Sequence, residues 1–253
     1  MGTEAARVRT GGRPVTRRLL CGALCGVSAI LACTGLLLLT ETSRDQAAYE
    51  ALAEEVREED AAADIDWDAL RAANAETVAW LSVEGTSIDH PVVQPGEDRE
   101  SDWYLTHSFW GEASAAGCPY LDARAEATGD HRLVYGHHLG LSSQMFSEIF
   151  QAYEQEVFDA VGTALWSTPE EGSCAFLPLM GLTVDQSYAQ IQSFTFPSEA
   201  ALRAWLRALA DDASAVSGAF EGRLSSATRV LTLVTCSNVI AGQRERTLLV
   251  FSA

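Results

Sequence analysis

A thiol, an imidazole and a guanidinium occur in this chain at spacings that can build a nucleophilic site. Cys236 closes the β-branched run LTLVTC, Arg246 follows it by ten residues, and His137 stands 99 residues upstream in LVYGHHLG, directly after Gly136. A thiol attacks as its thiolate, a form that a neighbouring imidazole or guanidinium favours. Arginine also offers a rigid fork of donors on which a developing oxyanion can rest. Taken alone, Cys236 reads more often as a buried structural residue, because free cysteine is among the most buried residue types.

Each partner has a rival. His137 and His138 are adjacent, so in extended chain their side chains point to opposite sides and only one can face Cys236. Arg244 and Arg246 would share one face of a strand that is already extended at 244. His90, His107 and His131 are scattered and read as surface or hydrogen-bonded structural histidines; no CxxC pair or clustered His/Cys spacing suggests a metal site.

The elements that must position these groups follow an N-terminal appendage. Residues 19–40 carry no charge over 22 positions. At about 1.5 Å per residue such a helix spans roughly 33 Å, enough for a hydrocarbon core of about 30 Å. Arg7, Arg9, Arg13, Arg17 and Arg18 precede it while Glu41 and Asp45 follow, which predicts a cytoplasmic tail (1–18), a single membrane span (19–40) and an extracellular remainder. The run is longer than a signal-peptide core and has no small-x-small cleavage pattern after it, so an uncleaved anchor is expected. Residues 41–66, rich in Ala and Glu, predict an acidic helical stalk, and a folded domain is expected over 67–253.

After position 40 there are 12 Arg, no Lys and 34 acidic residues, a net of −22. Binding to nucleic acid, which needs a basic face, is excluded on that ground. Cys21, Cys25 and Cys33 lie in the apolar run, leaving Cys118, Cys174 and Cys236. An odd number outside leaves at least one thiol free; Cys118 and Cys174 could pair, although Cys118 reads as a small buried residue. From Val78 onward, short β-branched runs broken by turn signals predict a mainly β, mainly antiparallel barrel or sandwich. A short helix is expected at DWDALRAAN, capped by Asp64 or Asp66, another from Ser142 with Met145, Phe146 and Ile149 on one face, and a third over SEAALRAWLRALADD.

Five blocks, VAWLSVEGTSIDHPVVQ (78–94), DWYLTHSFWGEASAAGCPYLDAR (102–124), VYGHHLGLSSQMFSEI (134–149), TLVTCS (232–237) and RTLLVFSA (246–253), resemble in family order those of the class B sortases, cysteine transpeptidases of Gram-positive cell surfaces. The resemblance implies an eight-stranded β-barrel with peripheral α-helices, with His137, Cys236 and Arg246 as catalytic residues and Thr235 as a substrate-binding residue. Thr235 reads equally well as a β-former in a buried strand. It further implies cleavage of a C-terminal Pro-X-Thr-type sorting signal after Thr, retention of the secreted protein as a thioester, and transfer to the amine of a cell-wall peptide or lipid-linked precursor, with no cofactor. Pilin polymerisation, a cell-wall cysteine peptidase and a non-catalytic membrane-anchored binding module are the alternatives. In the common wall peptidases the Cys precedes the His, the reverse of the order here. Ser237 and Asn238 follow the Cys where some sortases carry an acid, so no Cys-His-Asp triad is expected. Residues 166–186 match the family poorly and predict an altered loop and strand at the barrel edge.

Overall fold

The computed structural model describes residues 28, 43–56, 65–140, 142–236 and 244–253, with Cys236 described by its backbone. The apolar runs pair into one sheet of nine strands among the described residues: β1 (Thr77–Val83), β2 (Asp89–Val93), β3 (Tyr120–Leu121), β4 (His131–Tyr135), β5 (Ala164–Thr168), β6 (Gly172–Asp185), β7 (Ala215–Val216), β8 (Val230–Cys236) and β9 (Glu245–Ser252). Their order is β5-β1-β2-β3-β4-β8-β9-β6-β7, and a further β5–β6 pairing closes the first eight into a ring. The expected eight-stranded barrel is therefore present, with β7 hung on β6 outside it. Closure depends on β6, whose first residues pair with β5 (Phe176 with Ala164) and whose remainder pairs with β9 (Leu182 with Leu248). Most of residues 166–186, expected at a barrel edge, thus close the barrel.

Pairing is not wholly antiparallel. β2–β3 and β4–β8 are parallel, and the second of these brings the histidine block to the cysteine block. Parallel neighbours need a long crossover. Here the connection carries α3 (Gln155–Ala160), β5, β6, α4 (Glu199–Ala210), β7 and α5 (Phe220–Ser226).

Strand alternation feeds two apolar layers. Leu231, Leu233, Leu249 and Phe251 fill the barrel with Leu81, Val134, Trp166 and Phe176. The other register of the same strands, Val230, Val234, Leu248 and Val250, packs outside it under Leu202, Leu206 and Leu209 of α4 and Leu224 of α5. Those leucines follow the helical period, Ser198 caps α4 by accepting from Ala201 N–H, and each buried side chain stabilises by about 1.5–3 kcal/mol.

A third layer corrects the expected stalk. The helix over residues 43–55 (α1) does not stand clear of the domain: Tyr49, Leu52 and Val56 are buried against Leu70, Trp80, Tyr104, Phe109 and Cys118. Three apolar side chains at positions 49, 52 and 56 make a stripe among the Ala and Glu residues, and the folded unit begins at Asp45. After it α2 (Trp67–Ala73) forms as expected, capped by Asp66, which accepts from Ala69 N–H.

The helix expected from Ser142 is also corrected. Residues 147–149 make one 3-10 turn, because Met145 takes φ +54° and its backbone bridges to His138. Met145, Phe146 and Ile149 are buried all the same. A helix forms only further on, in α3 (Gln155–Ala160). Cys118 and Cys174 are both free thiols. The expected membrane span, 19–40, lies outside the described residues except for Ser28, as does the predicted cytoplasmic tail and the linker 57–64; no described helix is long and apolar enough to cross a membrane.

Candidate active site

Register assembles the site from three strand ends. In the parallel β4–β8 ladder Tyr135 lies beside Val234, and Gly136 N–H donates to the Val234 carbonyl at 3.0 Å. β4 ends at Tyr135; continued in the same register beyond that end, position 137 would fall beside position 236. On the other side the β8–β9 ladder ends with Cys236 opposite Arg246. Position 236 is thus paired with Arg246, and the continued register would bring His137 to its other side, where neighbours in register share a face of the sheet. The face is the outer one, because 236 follows the alternation of Val230 and Val234, and 246 that of Leu248 and Val250.

The two histidines part to opposite sides. The half-buried His137 ring sends Nε2–H to the Leu105 carbonyl at 2.5 Å, and its own carbonyl accepts from Phe146 N–H at 2.9 Å. A carbonyl can only accept, so Nε2 holds the proton and Nδ1 is the nitrogen left to exchange one. His138 stacks on Phe150, with ring centroids 4.0 Å apart, and neither of its buried ring nitrogens has a hydrogen-bond partner among the described residues. The Phe150 carbonyl accepts from Thr247 Oγ1, and Thr247 pairs with Thr235. His138 thus belongs with the inward register, away from position 236. Gly136 explains the shape of the turn: a Cβ there would stand 2.6 Å from the Phe146 ring, so only glycine lets the chain carry the imidazole past that side chain.

The arginines part as well. Arg244 forks onto Asp185, with Nε and Nη2 at 3.0 and 3.1 Å from the carboxylate oxygens; that hydrogen-bonded guanidinium holds Asp185 well below the usual carboxylate range. Arg246 instead donates to the Glu245 carbonyl at 3.0 Å and to Gln186 Oε1 at 3.3 Å, both neutral acceptors, and lines a cleft with Tyr135, Val234 and Tyr188. Thr235 is 2% exposed and in the inward register, with its hydroxyl buried and without a hydrogen-bond partner among the described residues. It offers no accessible atom to a ligand in the cleft, so its placement is that of a barrel residue. Burial pushes the Cys118 thiol up, which opposes nucleophilic use of that residue.

Sequence reasoning missed the wall of the cleft. Tyr135 also lines a cavity of about 400 Å³ with Tyr120, Asp122, Arg124, Ser101 and Asp102. Tyr120 and Tyr135 stack with centroids 5.2 Å apart, Tyr135 donates to Asp122 Oδ2 at 3.0 Å, and Arg124 holds both oxygens of the same carboxylate. The signal was Tyr135, two residues before His137 and the last residue of β4. Among the described residues no group of three or more His, Cys, Asp or Glu side chains could hold a metal ion.

A closed eight-stranded barrel with helices before its last strand pair, and with Cys, His and Arg positions at adjacent strand ends, defines a sortase fold. No family model matches the chain. Sortase B of Listeria monocytogenes is 24% identical over 170 residues, 66% of this chain and 65% of that protein. Sortase B of Staphylococcus aureus is 29% identical over 94 residues, 36% of each chain. The matched stretches thus span less than two thirds of either relative. Among solved structures, the Staphylococcus aureus sortase B–substrate complex superposes with a TM-score of 0.70 at 20% identity, over 84% of this chain and 97% of that one. The chain is similar in sequence to these two sortases B and shares the fold of the solved sortase B structure.

Proposed function

We propose that this protein is a membrane-anchored cysteine transpeptidase that joins secreted proteins bearing a C-terminal Pro-X-Thr-type sorting signal to an amine of the cell wall. The observation that supports the reading is the pairing of Cys236 with Arg246 at the end of the β8–β9 ladder, beside a parallel β4–β8 ladder that stops two residues before His137.

In the first half-reaction the Cys236 thiolate attacks the carbonyl carbon of the signal's threonine, and the carbonyl electrons become an oxyanion beside the Arg246 fork. The C–N bond then breaks, and the departing amine takes a proton from the imidazolium of His137. The secreted protein stays as a thioester. In the second half-reaction an acceptor amine attacks that thioester, His137 takes its proton, and the thiolate leaves as an amide forms. The protein's own side chains supply every proton and charge in this cycle, so no cofactor is required. A solved sortase B structure is a complex with triglycine, which supports an amino-terminal peptide as the kind of acceptor. The acidic surface suits none of the nucleic-acid roles. The uncharged run 19–40, with arginines before it, supports a single anchor with the catalytic domain outside the cell.

The test is covalent capture. Protein incubated with a Pro-X-Thr peptide should gain the mass of the acyl fragment on Cys236, and Cys236→Ala should gain none. Added oligoglycine or a diaminopimelate-type amine should divert product from free acid to ligated peptide. An adduct on Cys118 or Cys174, or hydrolysis that no amine diverts, would overturn the assignment.

A further inference from the structure

The proton-transfer role of His137 demands a fixed ring, and the segments that hold it lead back to the N-terminal helix. Tyr49, 2% exposed, accepts at its hydroxyl from Phe109 N–H and donates to the Gly117 carbonyl, both at 2.9 Å. Gly117 has φ +65°, and a Cβ on it would stand 3.1 Å from the Leu105 carbonyl oxygen and 3.2 Å from His137 Cδ2. The peptide that Tyr49 grips therefore backs directly onto the imidazole. It also adjoins the carbonyl that accepts His137 Nε2–H.

Two other residues of α1 reach the same surroundings. Asp45 Oδ2 accepts from Ser114 Oγ at 2.6 Å, and Ser114 Oγ accepts in turn from Ala116 and Gly117 N–H at 3.1 and 3.2 Å. Gln46 Oε1 accepts from Gln144 Nε2 at 2.9 Å, one residue before Met145, and Phe146 N–H holds the His137 carbonyl. Both chain segments that flank the imidazole are thus tied to residues 45, 46 and 49, a single face of one helix.

We propose that α1 is the mount of the active-site histidine, with Tyr49 as a positioning residue that fixes the His137 ring through the Phe109–Gly117 loop. The segment that follows the predicted membrane anchor is then part of the catalytic apparatus. The inference rests on the assignment of His137 to proton transfer; its test needs no substrate.

In the full chain labelled with 15N-histidine, the His137 ring resonances, assigned with His137→Gln, report the tautomer directly. Tyr49→Phe removes one hydroxyl and keeps the ring. The expected result is loss of the single Nε2–H tautomer signature. With peptide, acyl-adduct formation should fall about tenfold at unchanged KM, as displacement of a positioned group does. Gln46→Ala, at an exposed position, should move the same resonances in the same direction to a smaller extent. Unchanged His137 resonances in Tyr49→Phe would overturn the proposal, even if the variant melted earlier, because a purely structural tyrosine would lower stability without touching the ring. If the wild-type chain forms no adduct, the transpeptidase assignment falls, while the ring resonances still decide the role of Tyr49.

Discussion

Acid should loosen this fold in a defined window, through two buried histidines that take no part in the proposed proton transfer. His131 on β4 is fully buried as a neutral ring, with Nδ1–H on the Ser193 carbonyl at 2.7 Å and Nε2 accepting from Thr232 Oγ1 at 2.9 Å. His90 on β2 lines a cavity of about 90 Å³ beneath α1, its centroid 5.3 Å from that of Tyr49, and neither nitrogen has a hydrogen-bond partner among the described residues. Burial holds each from an ordinary 6.5 down to about 4, against a smaller upward pull from Asp89 on His90 and from the Ser193 hydrogen bond on His131. The folded state binds the proton more weakly than the unfolded chain, so stability is full above about pH 6.5, falls as pH falls, and levels off below about 4. At 1.36 kcal/mol per unit each histidine contributes about 3 kcal/mol of that loss. Two of them approach the ~5–15 kcal/mol by which domains are stable. In Asp122 and Glu76 the upward push of burial is outweighed by hydrogen bonds from Arg124 and Tyr104, so their losses come at lower pH. Urea unfolding at pH 7, 5.5 and 4.5 measures the slope. His90→Leu should change stability little at pH 7 and roughly halve the loss between pH 6.5 and 4. An identical pH slope in wild type and His90→Leu would refute the reasoning, since it would mean that water reaches the ring and His90 titrates normally.

Six substitutions test the placement of the site. Arg246→Lys should lower kcat on the order of a hundredfold, because an ammonium cannot reproduce the guanidinium fork, whereas Arg244→Ala should cost only a few-fold and raise the Asp185 pKa part of the way back; the reverse ranking by steady-state kinetics would exchange their roles. His137→Ala should abolish turnover, while His138→Ala should keep most of it and lower the melting temperature through loss of the stack on Phe150; turnover that depended instead on His138 would show that the strand end is turned over. Gly136→Ala must displace the Phe146 ring, so activity should fall well before the fold does, as read by turnover beside thermal melting. Thr235→Val removes a buried hydroxyl without a hydrogen-bond partner among the described residues and should leave stability equal or higher with activity retained; a large rise in KM would give Thr235 the direct substrate contact that its burial argues against.

Much of this protein was legible before any tertiary contact was known, because it is written locally. β-branched runs bounded by turn residues located most of the barrel strands, Ser198 and the Leu202–Leu206–Leu209 spacing located α4, and the GH and TC blocks marked the positions at which chemistry would be placed. Long-range pairing is not written that way. The parallel β4–β8 ladder joins residues about a hundred apart, and no periodicity in either strand names the other as its partner. The choice between His137 and His138, or between Arg244 and Arg246, depends on which face of a neighbouring strand each one meets; Phe150 takes one histidine and Asp185 one arginine. A positive φ at Met145 turned an amphipathic pattern into a loop, since helical spacing describes burial equally well when the backbone is irregular. The acidic composition of residues 45–56 masked a stripe of three apolar side chains, and only the packed barrel supplied the surface that makes Tyr49 a core residue within reach of the histidine loop.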